Sequence, residues 1–419
     1  MSPPLLTWRS VIAGIVPFTI MAALAGRWGA GPQCEAGPSG LIVPDDFCAT
    51  LVAGGLGEVR QMAVAPNGDL YAAGRSRIAG LRGGVVVLHD RDSDGRADQR
   101  ARFGPGGGND VDIHEGYVYL ALDDRILRWP LVPGTLVPEG QPETVVADLP
   151  DGGNHTAKSI AFGPGNSMYV NIGSASNSCQ RADRVPRSPG VDPCRELERR
   201  AGIWRFEAGR AGQRMADGRR YATGLRNAEA IGVQPGTGAL FAAVNGRDQL
   251  GANWGFTDQQ NAENPAEELL RVQEGDDFGW PYCYYSNDHH RKVLAPEYGG
   301  DGEQVGRCSS AKDPLIAFPA HWAPLALEFY PGGQFGSEYQ GGLFIAFHGS
   351  WNRAPLPQAG FRVVFVPFEE GVPTGAYETF ATGAGGPTEL RASGLAVGSD
   401  GALYVSADEN GKIWKVTRR

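Results

Sequence analysis

A chain of 419 residues with 61 glycines and 30 prolines favours many short strands joined by turns over long helices. The glycines do not recur every third residue, which excludes collagen, and a hydrophobic content of 42% excludes wholesale disorder. A net charge of −9, without a basic run interleaved with aromatics, argues against nucleic acid as a partner.

Residues 1–25 read as a secretory signal: Arg9 ahead of an apolar run at 11–24, then Ala23-Leu24-Ala25 as a cleavage site. The run is short for a membrane span and holds Pro17, so cleavage is expected, with no span in the mature form. Residues 26–44 form an extension and 45–419 a single domain, secreted or periplasmic. Six cysteines fall into neighbouring pairs, Cys34 with Cys48, Cys179 with Cys194 and Cys283 with Cys308. Six cysteines allow fifteen connectivities, and disulfides in an oxidising compartment suit their spacing better than a metal site does.

One phrase recurs: AVAPNGDLYAA at 63–73, DIHEGYVYLALDDRILRW at 112–129, and IAFGPGNSMYVNIGS at 160–174. It returns as IGVQPGTGALFAAVNG at 231–246, ALEFYPGGQFGSEYQGGLFIAFHG at 326–349, and GLAVGSDGALYVSADENGKIWKV at 394–416. Each copy is an apolar strand, a Gly- or Asn-containing turn and an alternating strand. Such a unit cannot bury both faces alone, so copies must stack, and a ring removes exposed edges. Six copies predict an all-β, six-bladed β-propeller with long loops at 175–200 and 247–325.

At 90–98, Asp90, Asp92, Asp94 and Asp98 take positions 1, 3, 5 and 9 of an EF-hand-like loop with Gly95 at the turn. Ala101 stands where the bidentate Glu is required, and a solvated acidic hairpin is the alternative to a structural calcium site. His155 follows Gly152-Gly153 and precedes a strand, a position from which a histidine can act as a base. Glu267 and Glu268 read as capping the strand after the second long loop. His289 and His290 read as exposed, and His348 as either facing the central site or packing at the rim.

NHTAKSIAFGPGNSMYVNIGS (154–174), YATGLRNAEAIGVQPGTGALFAAVNGRDQLG (221–251), EELLRVQEGDDFGWPYCYY (267–285) and GGLFIAFHGSWNR (341–353) occur in this order. Together they resemble the glucose/sorbosone dehydrogenase family of soluble quinoproteins, most of all its sorbosone dehydrogenase-like branch. The resemblance runs from about residue 45 to the C-terminus. It implies a six-bladed propeller that oxidises a sugar or sugar aldehyde with pyrroloquinoline quinone (PQQ) and calcium. A cytochrome or quinone would take the electrons.

The resemblance makes His155 the base and sets Arg226 and Asn227 beside the quinone. Asn154 replaces the usual acidic residue and can hydrogen-bond a substrate hydroxyl. Arg391 matches a carboxylate-binding arginine, while Ser393 stands where a second arginine is usual. Arg353 is the substitute for it, and Trp351 would wall the cofactor. Lys158 and Arg247 are spare cations. The Asn245 side chain and the Gly246 and Arg247 carbonyls match the calcium-binding segment, with Arg247 replacing a usual proline. Two other readings are a calcium-dependent lactonase, against which the arginines argue, and a propeller that has lost its cofactor and binds glycans or proteins.

Overall fold

Each copy of the repeated phrase folds as the first two strands of an antiparallel sheet. In the earliest copy Val59–Val64 and Leu70–Gly74 pair across a turn at Asn67-Gly68. Gly68 has φ of +91°, a left-handed conformation that a residue without Cβ adopts at little cost. The computed structural model describes residues 40–75, 84–132, 134–386 and 388–419. The signal segment and Cys34 lie outside these residues.

Six blades form among the described residues. Blade 1 is Val59–Val64, Leu70–Gly74, Val85–His89 and Gln99–Phe103. Blade 2 is Asp110–His114, Tyr117–Ala121, Ile126–Pro130 and Glu143–Ala147, extended by Gln213–Arg214. Blade 3 is Ile160–Gly163, Ser167–Ile172, Gly202–Glu207 and Arg219–Thr223, extended by Asp276–Asp277. Blade 4 is Ala230–Val233, Leu240–Val244, Glu267–Val272 and Ile316–Phe318. Blade 5 is Pro324–Phe329, Leu343–Phe347, Arg362–Val366 and Glu378–Gly383, extended by Leu41–Ile42. Blade 6 is Ala392–Val397, Leu403–Ala407 and Lys412–Arg418, completed by Phe47–Ala53 from the start of the domain. That last pairing closes the ring, and the six first strands contact one another in sequence around its axis. The expected six-bladed propeller is the observed fold. Its strands begin at Leu41, ahead of the boundary drawn at residue 45.

Both faces of every blade are buried. In Leu403–Ala407, Leu403, Val405 and Ala407 pack toward blade 5 and Tyr404 toward blade 1, as a period of two requires. Six apolar clusters result, one at each junction of adjacent blades. Each fully buried Leu, Val or Phe contributes about 1.5–3 kcal/mol, so the junctions hold the ring. On the axis, the first strands of all six blades line a cavity of about 240 Å³ that contains Asp110, Asp112 and Glu328.

The long loops are distributed unequally. Segment 175–200 does connect the second and third strands of blade 3. Segment 247–325 does not remain a loop: it contains the third and fourth strands of blade 4 and a hairpin, Cys283–Ser286 with Arg291–Leu294. Glu267 and Glu268 accordingly do not cap a strand but begin one, buried, because each carboxylate finds donors. Glu267 accepts from the Gly246 and Ala323 N–H groups at 2.8 and 3.1 Å, and Glu268 accepts from Lys292 at 2.8 and 2.6 Å. Disulfides Cys179–Cys194 and Cys283–Cys308 form as paired by spacing.

Candidate active site

Antiparallel order fixes which residues share a face. A first strand runs away from one face and the second returns to it. The segments leading into first strands and those leaving second strands therefore crowd the same end of the ring. His155 and Asn154 lead into blade 3, Arg226 and Asn227 into blade 4, and Arg391 into blade 6. Asn245, Gly246 and Arg247 leave the second strand of blade 4, and Trp351 and Arg353 that of blade 5. All lie on one face. Asp90, Asp92, Asp94 and Asp98 join the third and fourth strands of blade 1 and so lie on the opposite face.

His155 packs on Gly173, where an added Cβ would come within 2.6 Å of the His155 Cβ and 3.0 Å of Asn227 Oδ1. Only glycine lets the two side chains approach there. The Nδ1 of His155 is 2.9 Å from Ser174 Oγ and 3.0 Å from the Ser174 carbonyl. The Ser174 hydroxyl donates its own proton to Ser176 O at 2.7 Å. Nδ1 therefore faces two acceptors and carries the ring proton, which leaves the lone pair on Nε2. Burial, with the charges of Arg226 and Arg184 adding to it, lowers the imidazole to about 3. The ring is neutral at working pH.

Arg226 is held by a dense set of acceptors. Its Nε donates to Asn177 O at 3.1 Å and its Nη1 to Gly246 O at 2.8 Å. Its Nη2 donates to Asn177 Oδ1 at 3.0 Å and to Asp248 Oδ2 at 2.9 Å. Arg184 reaches the same Asp248 oxygen at 2.9 Å from the 175–200 loop. Burial alone would raise the Asp248 carboxyl, but Arg226 and Arg184 outweigh it and hold it at about 2. The main chains of the two lead-ins are joined as well, since Ser174 N–H donates to Arg226 O at 2.8 Å.

Asn227 gives its amide N–H to Glu229 at 3.1 Å, while its Oδ1 is buried and accepts nothing among the described residues. Glu229 is also bonded to Arg60 at 2.7 Å, and Arg60 reaches Asp408 at 2.6 Å, which His348 contacts at 3.0 Å. This chain of groups crosses the axis from blade 4 to blades 1, 6 and 5. It settles His348 on the central cluster, whereas His289 and His290 are exposed.

The Asn245 amide nitrogen donates to Pro324 O at 2.9 Å and to Asn227 O at 3.3 Å, so its Oδ1 is left for another donor or a cation. The Arg247 carbonyl takes no hydrogen bond among the described residues. The Gly246 carbonyl is shared with the Arg226 guanidinium. The Arg247 side chain turns away and forms a buried ion pair with Glu297.

The remaining cations are less free. Arg353 donates to Ala262 O, Ala320 O, Pro357 O and Glu263. Arg391 pairs with Glu409 and lies 5.0 Å over the Phe361 ring. Ser393 is fully buried and donates to Val59 O at 2.9 Å, tying blade 6 to blade 1. Lys158 is also fully buried, and burial lowers its amine to about 8. Asn154 gives its amide to Asp183 at 2.9 Å, while Trp351 is 62% exposed on the rim. On the far face, oxygens of Asp90, Asp92 and Asp98 lie within 4.8 Å of one another, and Asp94 instead accepts from the Arg96 N–H.

Sequence reasoning passed over Ser174, Asn177, Arg184 and Asp248. Their signal is weak because each is a small polar or charged residue in a loop, and their partners are distant in the chain. Asp248 follows the quoted Asn245-Gly246-Arg247 directly, and adjacency was the only clue to it.

Fold and site thus define a six-bladed propeller with a polar cluster of ion-paired arginines at one mouth of its axis. A family model described as TrAA12-like matches residues 41–419, and the chain belongs to that family. A pyrroloquinoline quinone-dependent pyranose dehydrogenase of Coprinopsis cinerea is 28% identical over 193 residues, 38% of this chain and 26% of that protein. An uncharacterized protein of Borreliella burgdorferi is 27% identical over 205 residues, 46% of this chain and 48% of that one. The chain therefore spans about half the length of one relative and about a quarter of the other.

Among solved structures, the holo PQQ domain of the Coprinopsis cinerea pyranose dehydrogenase superposes with a TM-score of 0.73 at 21% identity, covering 93% of this chain and 98% of that one. A calcium structure of the Trichoderma reesei family AA12 enzyme gives 0.75 at 20%, covering 93% and 100%. The apo soluble aldose sugar dehydrogenase of Escherichia coli gives 0.61 at 16%, covering 89% and 100%. At these identities the likeness carries the fold.

Proposed function

We propose that this chain is a PQQ-dependent oxidoreductase acting on a sugar or, as in the sorbosone-type branch, a sugar aldehyde in its hydrated form. One observation carries the reading: His155 presents an unprotonated Nε2 beside Arg226 and Asn227, its tautomer set by Ser174. Membership of the TrAA12-like family and relatives named for PQQ support it.

The residues present fit the cofactor. The buried, unpartnered Asn227 Oδ1 calls for a donor or a cation from outside the chain. Arg226 and Arg184 make the surroundings favourable to an anion. When bound, PQQ supplies the two-electron acceptor for the hydride. Arg226 and Asn227 would face its quinone, and Arg391, by exchanging Glu409, would hold a carboxylate. Trp351 would cover it. Arg353 is committed elsewhere and would act only by positioning Trp351. The Asn245 Oδ1 and the Arg247 carbonyl would hold calcium, with the Gly246 carbonyl shared with Arg226; a hard cation suits such oxygens. His155 Nε2 accepts the hydroxyl proton as the carbon gives up hydride.

The chain would work outside the cytosol, where its disulfides persist, and pass electrons to a cytochrome or quinone. Titrating the metal-free chain with PQQ and calcium, then assaying dye reduction with aldoses, tests the reading. Saturable binding followed by sugar-dependent reduction is expected. No PQQ binding at any calcium concentration would overturn it.

A further inference from the structure

The turn at 245–248 is bonded from several sides. Asn245 N–H donates to Asn227 O at 2.9 Å and Gly246 N–H to Glu267 at 2.8 Å. Asn177 brackets Asp248, accepting from its N–H at 2.9 Å and donating to its carbonyl at 3.0 Å. The Arg247 carbonyl accepts nothing among the described residues, although Arg247 is only 3% exposed. A buried carbonyl left over in this way calls for a donor or a cation. Its direction is set by the side chain of its own residue. The Arg247 guanidinium folds over the next peptide, with Nε and Nη2 donating to Asp248 O at 3.2 and 3.0 Å, and Nη1 ends on Glu297. Glu297 stands in the single turn Pro296–Tyr298, and its side chain is wholly buried. It also accepts from Ser178 Oγ at 2.9 Å and Trp254 Nε1 at 2.8 Å, while its carbonyl accepts from Gly190 N–H at 2.9 Å. One carboxylate thus ties the turn to helix Leu250–Trp254 and to the 175–200 loop, which walls the site through Asp183 and Arg184. The Arg247 carbonyl cannot swing away without disturbing a buried ion pair, and losing one partner of such a pair is costly.

We infer that Glu297 is a positioning residue for the calcium end of the site, acting through the Arg247 side chain to hold the Arg247 carbonyl in place. The inference rests on the reading above, in which that carbonyl binds calcium. Groups that orient a metal ligand from behind tune affinity without touching the ion. The Asn245 side chain is anchored separately, on Pro324 O, so loss of Glu297 should weaken one ligand and leave the other.

The test measures calcium binding by calorimetry, with and without PQQ and with no sugar present. Every chain carries D90N/D92N, so that the acidic loop of the opposite face does not contribute. E297Q keeps an acceptor for Ser178 and Trp254 but leaves Arg247 without its anion. Its dissociation constant for calcium is expected to rise roughly tenfold to a hundredfold. In R247Q/E297Q the loss should be no larger than in R247Q, because Glu297 then has nothing to act through. S178A removes another Glu297 contact and should melt lower yet bind calcium as before. Where E297Q does not fold, R247Q/E297Q, which buries no lone charge, should still bind calcium roughly tenfold more weakly than wild type. An unchanged constant in E297Q, equal losses in E297Q and S178A, or a further loss from R247Q to the double variant would overturn the proposal. So would a wild type that binds no calcium in either condition. Dye reduction with aldoses is scored separately. Weaker calcium binding in E297Q, with no sugar turned over by wild type, upholds the role of Glu297 and sinks the oxidoreductase reading. Turnover with an unchanged calcium constant does the reverse.

Discussion

The hydroxyl of Ser174 lies 2.9 Å from Nδ1 of His155 and gives its own proton to Ser176 O at 2.7 Å. The histidine must therefore donate at Nδ1, and its basic nitrogen must face outward. Ser174→Ala leaves the carbonyl acceptor at 3.0 Å but removes the hydroxyl. One neutral hydrogen bond is worth about 1 kcal/mol, so kcat should fall roughly fivefold with KM nearly unchanged. Steady-state kinetics across pH check this; a rise in KM at constant kcat would place Ser174 in substrate binding instead.

Asp248 keeps two guanidinia compatible. Its Oδ2 accepts from Arg226 and Arg184, both at 2.9 Å. Asp248→Asn leaves two cations facing each other without their shared anion, and breaking such a buried cluster costs roughly 3 kcal/mol. Denaturant unfolding of the metal-free chain should show a lower midpoint at unchanged slope. The variant should also bind the cofactor more weakly, because Arg226 and the Asn245–Asp248 turn lose their common anchor.

Legibility of the chain in its sequence differs by distance of interaction. The first two strands of every blade were readable, because a period of two and a turn such as Asn67-Gly68 are local. In blade 4 the strand beginning at Glu267 is expected, but its first residues read as caps: that Glu267 and Glu268 lie buried within it follows only once the Gly246 and Ala323 N–H groups and Lys292 are brought to them by the fold. The site follows the same rule. His155, Arg226 and Asn227 stand in contiguous phrases, whereas Asn177 meets Arg226 across 49 residues, and nothing in either segment announces the other.

Glu328 lies on the axis with Asp110 and Asp112, and burial, with those two carboxylates adding to it, raises it from 4.5 to about 8. Between these values the unfolded chain releases a proton that the folded chain keeps. This group's contribution to stability is therefore greatest below pH 4.5 and declines as pH rises toward 8. Glu328→Gln has no such proton. Its melting temperature should match wild type near pH 4, exceed it increasingly up to pH 8, and level off above. Calorimetry at pH 4, 6 and 8 decides, and an advantage that shrinks with rising pH would contradict the assignment.

The 175–200 wall should be separable from the propeller beneath it. Cys179 and Cys194 close a segment with a sequence separation of 15; a cross-link of that span stabilises by about 3 kcal/mol in the chain-entropy view. In C179S/C194S the blade junctions are untouched, so the far-ultraviolet dichroism should persist and the melting point fall. Asp183 and Arg184 would lose their fixed approach to Asn154 and Asp248.

His155 itself gives the most demanding prediction. If its only task is to accept the hydroxyl proton at Nε2, His155→Gln should bind PQQ and calcium as wild type does, because Asn227, Arg226 and Asn245 are undisturbed. Its kcat should nevertheless fall by roughly 10²- to 10⁴-fold, the range for loss of a general base. The pH dependence follows from the same charges. Burial first, and the arginines with it, hold the unloaded imidazole at about 3; an anionic cofactor offsets the arginines, and the acid limb of the loaded enzyme is expected above that value. NMR titration of the ring, loaded and unloaded, measures the difference. A variant that keeps its turnover, or a ring that titrates lower when loaded, would remove His155 from the chemistry and leave the arginine cluster to account for the site.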